Sequence, residues 1–543
     1  MSTLIFFICF LVASADCQAE APLAMQLFLK EPTAGLTAAP ALGKFEPAYG
    51  AILGATVDKD PRLSGTDNVK DVYGRNYSAV LAYARSGEQI PDVILSFAKS
   101  NNLALQVSWE PSAGLEAIQE DSVQAMAAVL RDFGGPVFLR FGGEMNGDWV
   151  AWGQQPDLYV SKFRLVSSIM KQTAPNVAMV WSPNFVPDQD LDRYYPGDEY
   201  VDWVGINGYA DYYFVGNPQN DSLKWVQQNF HQGRHANPLL KFQKIYEEYA
   251  ARKPVMISET GVAWANRNPY LDVSDWGANT LERLYGYLPL MYPRIKAIFY
   301  FNTSVPKDFS FYSAADNNTM FEAYKAAISS PYYLEQYNGA APFRYRPLDA
   351  LPSEVCDLAT NINDEEGQVA AVEYYLDGRF IARTTSIPWE ATCRFPSKGG
   401  QSTLEARALD AQGNVISRTS QEIYVPAWQS INVTLDGKSV SLDTAPAIFD
   451  GRILAPIRAL SELLGVQVSW DASARTVQLN GSGKKISIQV GSQQFYVNGS
   501  PVQVPDAGAK LVDGRVMVPL RLLSESFGLK VDWSNDGTVV LSH

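Results

Sequence analysis

From Ala51 to Ala327, short apolar runs alternate with stretches whose apolar residues recur at helical spacing. The runs Ala51–Thr56, Ser78–Ala84, Leu103–Trp109, Val137–Gly142, Val177–Ser182, Trp203–Ile206, Val255–Ser258 and Ile295–Phe301 predict strands. Between them, Ile90–Ser100, Ser122–Phe133, Pro156–Thr173 and Leu239–Ala251 predict amphipathic helices. Eight strands alternating with helices over this length predict a (β/α)8 barrel. A doubly wound sheet is the alternative, but no Gly-rich phosphate loop follows the first run.

After the barrel the period changes. Pro331–Pro352 is rich in Tyr, Pro and Ala, has no clear period and reads as a linker. Alternating strand-like runs follow, with Asp377-Gly378 as a hairpin turn between two of them, and predict a small β-sandwich over residues 350–426. The last stretch, 429–543, contains an internal repeat. DGRILAPIRALSELLGVQVSW (Asp450–Trp470) aligns with DGRVMVPLRLLSESFGLKVDW (Asp513–Trp533) at an offset of 63, identical at 11 of 21 positions. Each copy reads as turn, strand, helix and strand, preceded by a hairpin, so an α+β repeat domain is expected. Trp470 and Trp533 end the copies at equivalent places and are expected to pack inside it.

Composition narrows the function. The 543 residues hold 44 Lys and Arg against 58 Asp and Glu, a net charge of −14. No Lys/Arg cluster offsets it, which argues against nucleic acid as a partner. Three histidines, one of them the last residue, leave little for a histidine metal site, and no metal or cofactor is expected. Leu4–Val12 is an apolar run followed by Ala13-Ser14-Ala15 and, further on, Ala19-Glu20-Ala21; residues 1–21 read as a secretory leader although no Lys or Arg precedes the run. The chain is thus expected to be secreted or surface-associated, and no later run is long enough to span a membrane. Beyond the leader only Cys356 and Cys393 remain, and their pairing and two free thiols are both open readings.

Barrel enzymes place their chemistry at the C-terminal ends of the strands. Glu144 follows the run VFLRF and opens GGEMNGDWVAW; Glu259 follows VMIS and opens ETGVAW. They stand 115 residues apart, three βα units of about 38 residues each, which suits the ends of strands four and seven. Two glutamates across a barrel mouth suit glycoside cleavage: one protonates the leaving oxygen, the other attacks or supports the sugar cation. Glu110 reads instead as a cap for the helix that follows it.

RFGGEMNGDWVAW (Arg140–Trp152) together with ISETG (Ile257–Gly261) resembles glycoside hydrolase family 26, of the retaining (β/α)8 clan. SWEP (Ser108–Pro111), WSPN (Trp181–Asn184) and DWVGINGY (Asp202–Tyr209) extend the likeness through most of a barrel spanning 22–335. The resemblance implies Glu144 as general acid/base and Glu259 as nucleophile. It implies Trp149 as a substrate-stacking residue, Tyr209 as a hydrogen-bond partner of the nucleophile, and Arg140 as pointing toward the paired carboxylates. Trp109, Trp152, Asn146 and Asn184 complete the candidate substrate-binding set. One position departs from the family pattern: the acid/base is usually preceded by His, and here by Gly143. The implied substrate is a β-linked polysaccharide, β-mannan first, with mixed-linkage β-glucan and β-1,3-xylan as alternatives. The run around Val372–Arg383 resembles immunoglobulin-like modules of polysaccharide hydrolases. The terminal repeats resemble the stalk-type module named after the N-terminal domain of copper amine oxidases, implying contact with a cell-wall or surface polymer rather than copper chemistry. The reading from another class is a cell-surface carbohydrate-binding protein with an inactive barrel.

Overall fold

The computed structural model describes residues 23–543 apart from 39–40, 64–67, 212–236, 268–269, 305–309, 365–366, 429–430, 443, 450, 493, 504–507, 513 and 535–536. The expected leader lies outside the described residues. Eight strands, Ala51–Ala55, Ala79–Arg85, Ala104–Glu110, Val137–Phe141, Val177–Trp181, Trp203–Ala210, Val255–Val262 and Ile295–Tyr300, pair in parallel, and the eighth closes on the first. These are barrel strands one to eight below. Each of the eight expected runs overlaps one of them, overrunning it by at most one residue at an end. Strands six and seven continue four residues beyond the apolar stretch, because the ladder persists after the core ends.

Helices cover the outside. Helix Glu120–Phe133 ends at Gly134, whose φ of 79° is the left-handed geometry that suits glycine. Helix Pro156–Thr173 opens on a proline, whose missing N–H costs nothing in a first turn. After strand five the chain makes only a short 3-10 turn, Leu191–Tyr194, so the barrel's fifth helix is reduced. No helix among the described residues is long and apolar enough to cross a membrane.

The period-two alternation of the strands builds two cores. Outward residues such as Leu105, Val107, Trp109, Leu139 and Phe141 pack against the helices. Inward residues, among them Ile52, Ala79, Leu81, Phe138, Val180, Trp203, Met256 and Phe299, fill the barrel. Gly54 is required in this interior, since a β-carbon there would lie 2.4 Å from the Phe299 ring.

Lys296, the second residue of strand eight, is buried, its Nζ donating to the Ala48 carbonyl at 3.1 Å. Burial pulls its pKa from 10.5 down to about 8. The folded state therefore binds fewer protons than the unfolded one between those values, and this group's contribution to stability rises with pH across that window. Lys296→Met is expected to raise the thermal midpoint at pH 7, and the gain should shrink as pH climbs above 8. Melting curves from pH 7 to 10 check it.

The region beyond the barrel is more interwoven than its sequence suggests. Met25–Pro32, assigned by sequence to the barrel segment, pairs with Phe343–Pro347 on one side and Val355–Ile362 on the other. Those pairings also correct the linker reading: Tyr333–Leu334 adds to barrel strand one, and Phe343–Pro347 is a sheet strand. Val355–Ile362 then pairs with Ala391–Arg394, completing a four-stranded sheet. A second four-stranded sheet holds Arg379–Thr384, Ala371–Leu376, Gly400–Leu409 and Val415–Val425. The two share a core that includes Leu358, Tyr374, Cys393 and Leu404, and Tyr374 Oη bonds both Thr360 Oγ1 and the Trp389 carbonyl across it. The Asp377-Gly378 hairpin has both residues at positive φ, 49° and 76°, as a tight I′ turn needs. Trp389 Nε1 donates to Tyr287 of barrel helix Ser274–Met291 at 2.7 Å, tying this region to the barrel. Cys356 and Cys393 sit directly opposite on neighbouring strands, and both are buried.

The terminal repeats fold as a pseudo-twofold pair. Strands Arg452–Pro456 and Arg515–Pro519 run antiparallel with Ala455 opposite Val518, its own counterpart at offset 63. Each is followed by a seven-residue helix, Ile457–Leu463 or Leu520–Ser526. Trp470 and Trp533 do not pack inside: they are 45% and 49% exposed. Each lies on an edge strand, Gln467–Asp471 or Lys530–Trp533, one residue pair past the last valine that reaches the core.

Candidate active site

One level above the apolar fill, the inward positions turn polar. Tyr83, Ser108 and Arg140 stand side by side on strands two, three and four, in register across the parallel ladder. Glu259 reaches the same space through an irregularity. Between strands six and seven, Ile206 pairs with Ile257 but Asn207 pairs with Glu259, so Ser258 is one residue extra. Ser258 and Glu259 can then both face the mouth, which strict alternation forbids; re-aiming a side chain in this way is a common effect of bulges.

Arg140 Nη1 lies 2.5 Å from Glu259 Oε2, with side-chain exposures of 4% and 12%, and also donates to Ser108 Oγ at 3.2 Å. Tyr209 Oη donates to the other carboxylate oxygen, Oε1. Tyr209 is itself wedged: its ring packs 4.7 Å from that of Tyr312, and a β-carbon on Gly261 would lie 2.9 Å from it. Burial first, then the charge of Glu259, pushes the Tyr209 pKa well up, so it remains a donor.

Glu144 is held differently. It sits just beyond strand four at φ 62°, a strained conformation for a non-glycine residue, fixed by its N–H to the Ser182 carbonyl at 2.9 Å. Its Oε1 accepts from Asn184 Nδ2 and from Asn207 Nδ2, each at 2.9 Å, and Oε2 accepts from Trp149 Nε1 at 2.7 Å. Asn207 has its amide orientation set by Ser258 Oγ, 2.9 Å from its Oδ1. With two amides on Oε1, a proton on this carboxyl belongs on Oε2, the side toward Trp149. Glu259 thus faces a cation and a phenol, and Glu144 faces neutral donors.

The nine sequence candidates divide. Glu144, Glu259, Arg140, Tyr209, Trp149 and Asn184 meet at the mouth. Trp149 is 51% exposed, with its ring lying over Gly147, so one face remains open for a sugar. Trp109 and Trp152 are corrections. Trp109, 3% exposed, points outward by strand parity and meets Phe141 edge-on at 5.4 Å; Trp152, 7% exposed, spends its Nε1 on the Gly143 carbonyl. Neither has a face free for stacking. Asn146 is also turned inward: Nδ2 donates to the Asn184 and Pro187 carbonyls and Oδ1 accepts from Asn184 N, so it braces the loop.

Several mouth residues were passed over in the sequence, Tyr83 and Ser258 among them. Asn207 and Ser108 lie within DWVGINGY and SWEP, and their inward parity was the available signal. Glu110, expected as a helix cap, instead lies 3.6 Å from Arg85, and burial raises its pKa above the usual carboxylate range. Helix Glu120–Phe133 has Gln119 at its N-cap.

Comparison with known proteins bears on the same segments. Residues 104–273 match Glycosyl hydrolase family 26, and residues 434–541 match Copper amine oxidase N-terminal domain. Endoglucanase H of Acetivibrio thermocellus is 24% identical over 373 residues, covering 63% of this chain and 39% of that protein. β-1,3-Xylanase TXYA of a Vibrio species is 27% identical over 113 residues, 20% of this chain and 24% of that protein. This chain therefore spans well under half the length of these relatives. Among solved structures, a GH26 β-mannanase from Bacteroides ovatus aligns at 15% identity and a TM-score of 0.37, over 53% of this chain and 90% of that one. The stretch that carries Glu144 and Glu259 thus has the signature of glycosyl hydrolase family 26, and the terminal repeats have that of the copper amine oxidase N-terminal domain.

Proposed function

We propose that the protein is an exported, retaining endo-β-glycosidase that hydrolyses a β-linked polysaccharide at the barrel mouth. The observation that carries this reading is the unequal support of the two glutamates. Glu259 is a carboxylate aligned from two sides by Arg140 and Tyr209, the arrangement a nucleophile needs. Glu144 is bonded by neutral donors, two amides on Oε1 and the Trp149 indole N–H on Oε2, rather than by a cation, which suits a group that gives and takes a proton.

In the first step Glu259 attacks the anomeric carbon while Glu144 gives its Oε2 proton to the departing glycosidic oxygen. A covalent glycosyl-enzyme results. In the second, Glu144 takes a proton from water, which attacks the same carbon and releases Glu259. Two inversions leave the anomeric configuration unchanged. Trp149 supplies the apolar platform on the acid/base side. The apolar leader supports export, and the terminal repeats would hold the enzyme near a cell-wall or surface polymer.

The substrate panel consists of β-mannan, which the motifs imply, and β-glucan and β-1,3-xylan, the kinds of activity the relatives' names carry. The wild-type protein is expected to release reducing ends from one of these, with the new end first seen by NMR as the β anomer. First appearance of the α anomer would overturn retention. No release from any polymer, with retardation on a polysaccharide affinity gel, would make the chain a binding protein with an inactive barrel.

A further inference from the structure

We propose that Tyr83 is a third positioning residue for the Glu259 carboxylate, completing the set begun by Arg140 and Tyr209. The inference rests on the hydrolase reading above and adds a residue to its machinery. Tyr83 occupies the inward position of strand two at the level of Ser108 and Arg140, two residues above the buried Leu81. Its hydroxyl oxygen is buried, makes no well-aligned hydrogen bond among the described residues, and lies against the Glu259 carboxylate. A buried hydroxyl without a well-aligned partner is unfavourable, so its place at a reactive carboxylate calls for an explanation.

The packing explains where the hydroxyl is aimed. The Phe301 ring stands edge-on to Tyr83 at 6.2 Å and to Tyr209 at 6.1 Å, so the two phenols flank one aromatic wedge. Tyr209 donates to Glu259 from one flank of that wedge, and Tyr83 faces Glu259 from the other. Burial and the negative charge of Glu259 push the Tyr83 pKa well above its ordinary value, so it stays protonated and remains a donor. The charge that Glu259 carries at the start of each turnover favours a bond from this hydroxyl to the carboxylate. While Glu259 is negative the bond is charge-assisted; in the glycosyl-enzyme the oxygen is an ester and the bond weakens.

The other groups facing Glu259 are Arg140 from strand four, Tyr209 from strand six and the carboxyls of Glu110 and Glu144; Arg85 stands behind Glu110. Removing the Tyr83 hydroxyl takes away one donor to the charged form of Glu259 and leaves these in place. The acidic limb of kcat/KM, where Glu259 must be ionised, should therefore move to higher pH.

The test is Tyr83→Phe, which keeps the ring against Phe301, assayed on whichever polymer the wild type cleaves. The expected result is a 10- to 100-fold fall in kcat (about 1.4–2.7 kcal/mol by the tenfold-per-1.36 relation), little change in KM, and an acidic limb displaced upward by half a unit or more. An unchanged acidic limb with an unchanged kcat would overturn the proposal. So would a fall in kcat with the limb unmoved, since a merely structural role gives that pattern. Tyr83→Leu, which removes ring and hydroxyl together, should show the same limb shift if it folds. Absence of cleavage by the wild type would refute the hydrolase reading itself and is told apart by the wild-type assay alone.

Discussion

Glu259→Ala is expected to lower hydrolysis of the cleaved polymer by at least about 10⁴-fold, the scale on which removal of a covalent nucleophile acts. The side chain offers the attacking oxygen in the proposed first step, and among the described residues nothing else at the mouth is aligned by both a guanidinium and a phenol. The variant leaves Arg140 buried without its counter-ion, so its folding needs to be checked, and Glu259→Gln serves as the shape-preserving companion. Azide sharpens the result. With a substrate carrying a reactive leaving group, azide should enter the space vacated in Glu259→Ala and give a glycosyl azide of inverted configuration. In Glu144→Ala the first step survives on such a substrate, and azide should intercept the glycosyl-enzyme to give the retained product. A Glu259→Ala enzyme within tenfold of wild type, or the two azide products exchanged, would reverse or refute the assigned roles.

The second large effect is expected from the smallest substitution. Gly143→Ala should lower kcat/KM by about 100-fold, because a displacement on the ångström scale at a catalytic constellation costs about that much. A β-carbon at position 143 would lie 2.3 Å from Arg140 Nε, 2.5 Å from Nη2 and 2.6 Å from Cζ. The guanidinium cannot swing aside freely, being buried, paired with Glu259 and bonded to Ser108. The loop cannot retreat freely either: Trp152 Nε1 holds the Gly143 carbonyl at 2.7 Å, and Glu144 N is tied to Ser182. Relief must therefore come from Arg140 leaving Glu259 or from Glu144 leaving its amides. Kinetics with a parallel melting curve check the expectation, and a wild-type kcat/KM would show that the guanidinium has room to move. With Arg140 folded over the loop, a side chain at 143 would require the guanidinium or the loop to move.

These contacts separate what could be read along the chain from what could not. The barrel was legible because each strand is apolar on both faces, one filling the barrel and the other meeting the helices. The glutamates were legible because each stands just past the end of such a run. Strand ends were read short where polar residues continue the ladder, as in Asn207-Gly208-Tyr209 and Glu259-Thr260-Gly261. Hydrophobicity reports where the core stops, and backbone pairing goes on past it. Trp109 and Trp152 misled for the complementary reason, since a tryptophan near a catalytic motif looks the same on the page whether its face is open or covered.

Local pattern alone was enough for the barrel, the repeat offset of 63 and the placing of Glu144 and Glu259 at the ends of strands four and seven, since periodicity and spacing are properties of neighbouring residues. Other features needed the folded chain. Met25–Pro32 joins strands more than 300 residues away, the extra residue at Ser258 turns Glu259 into the mouth, and Arg140 lies over Gly143. Each depends on which distant segments come into register and on how much space they leave, and no local run of amino acids records either.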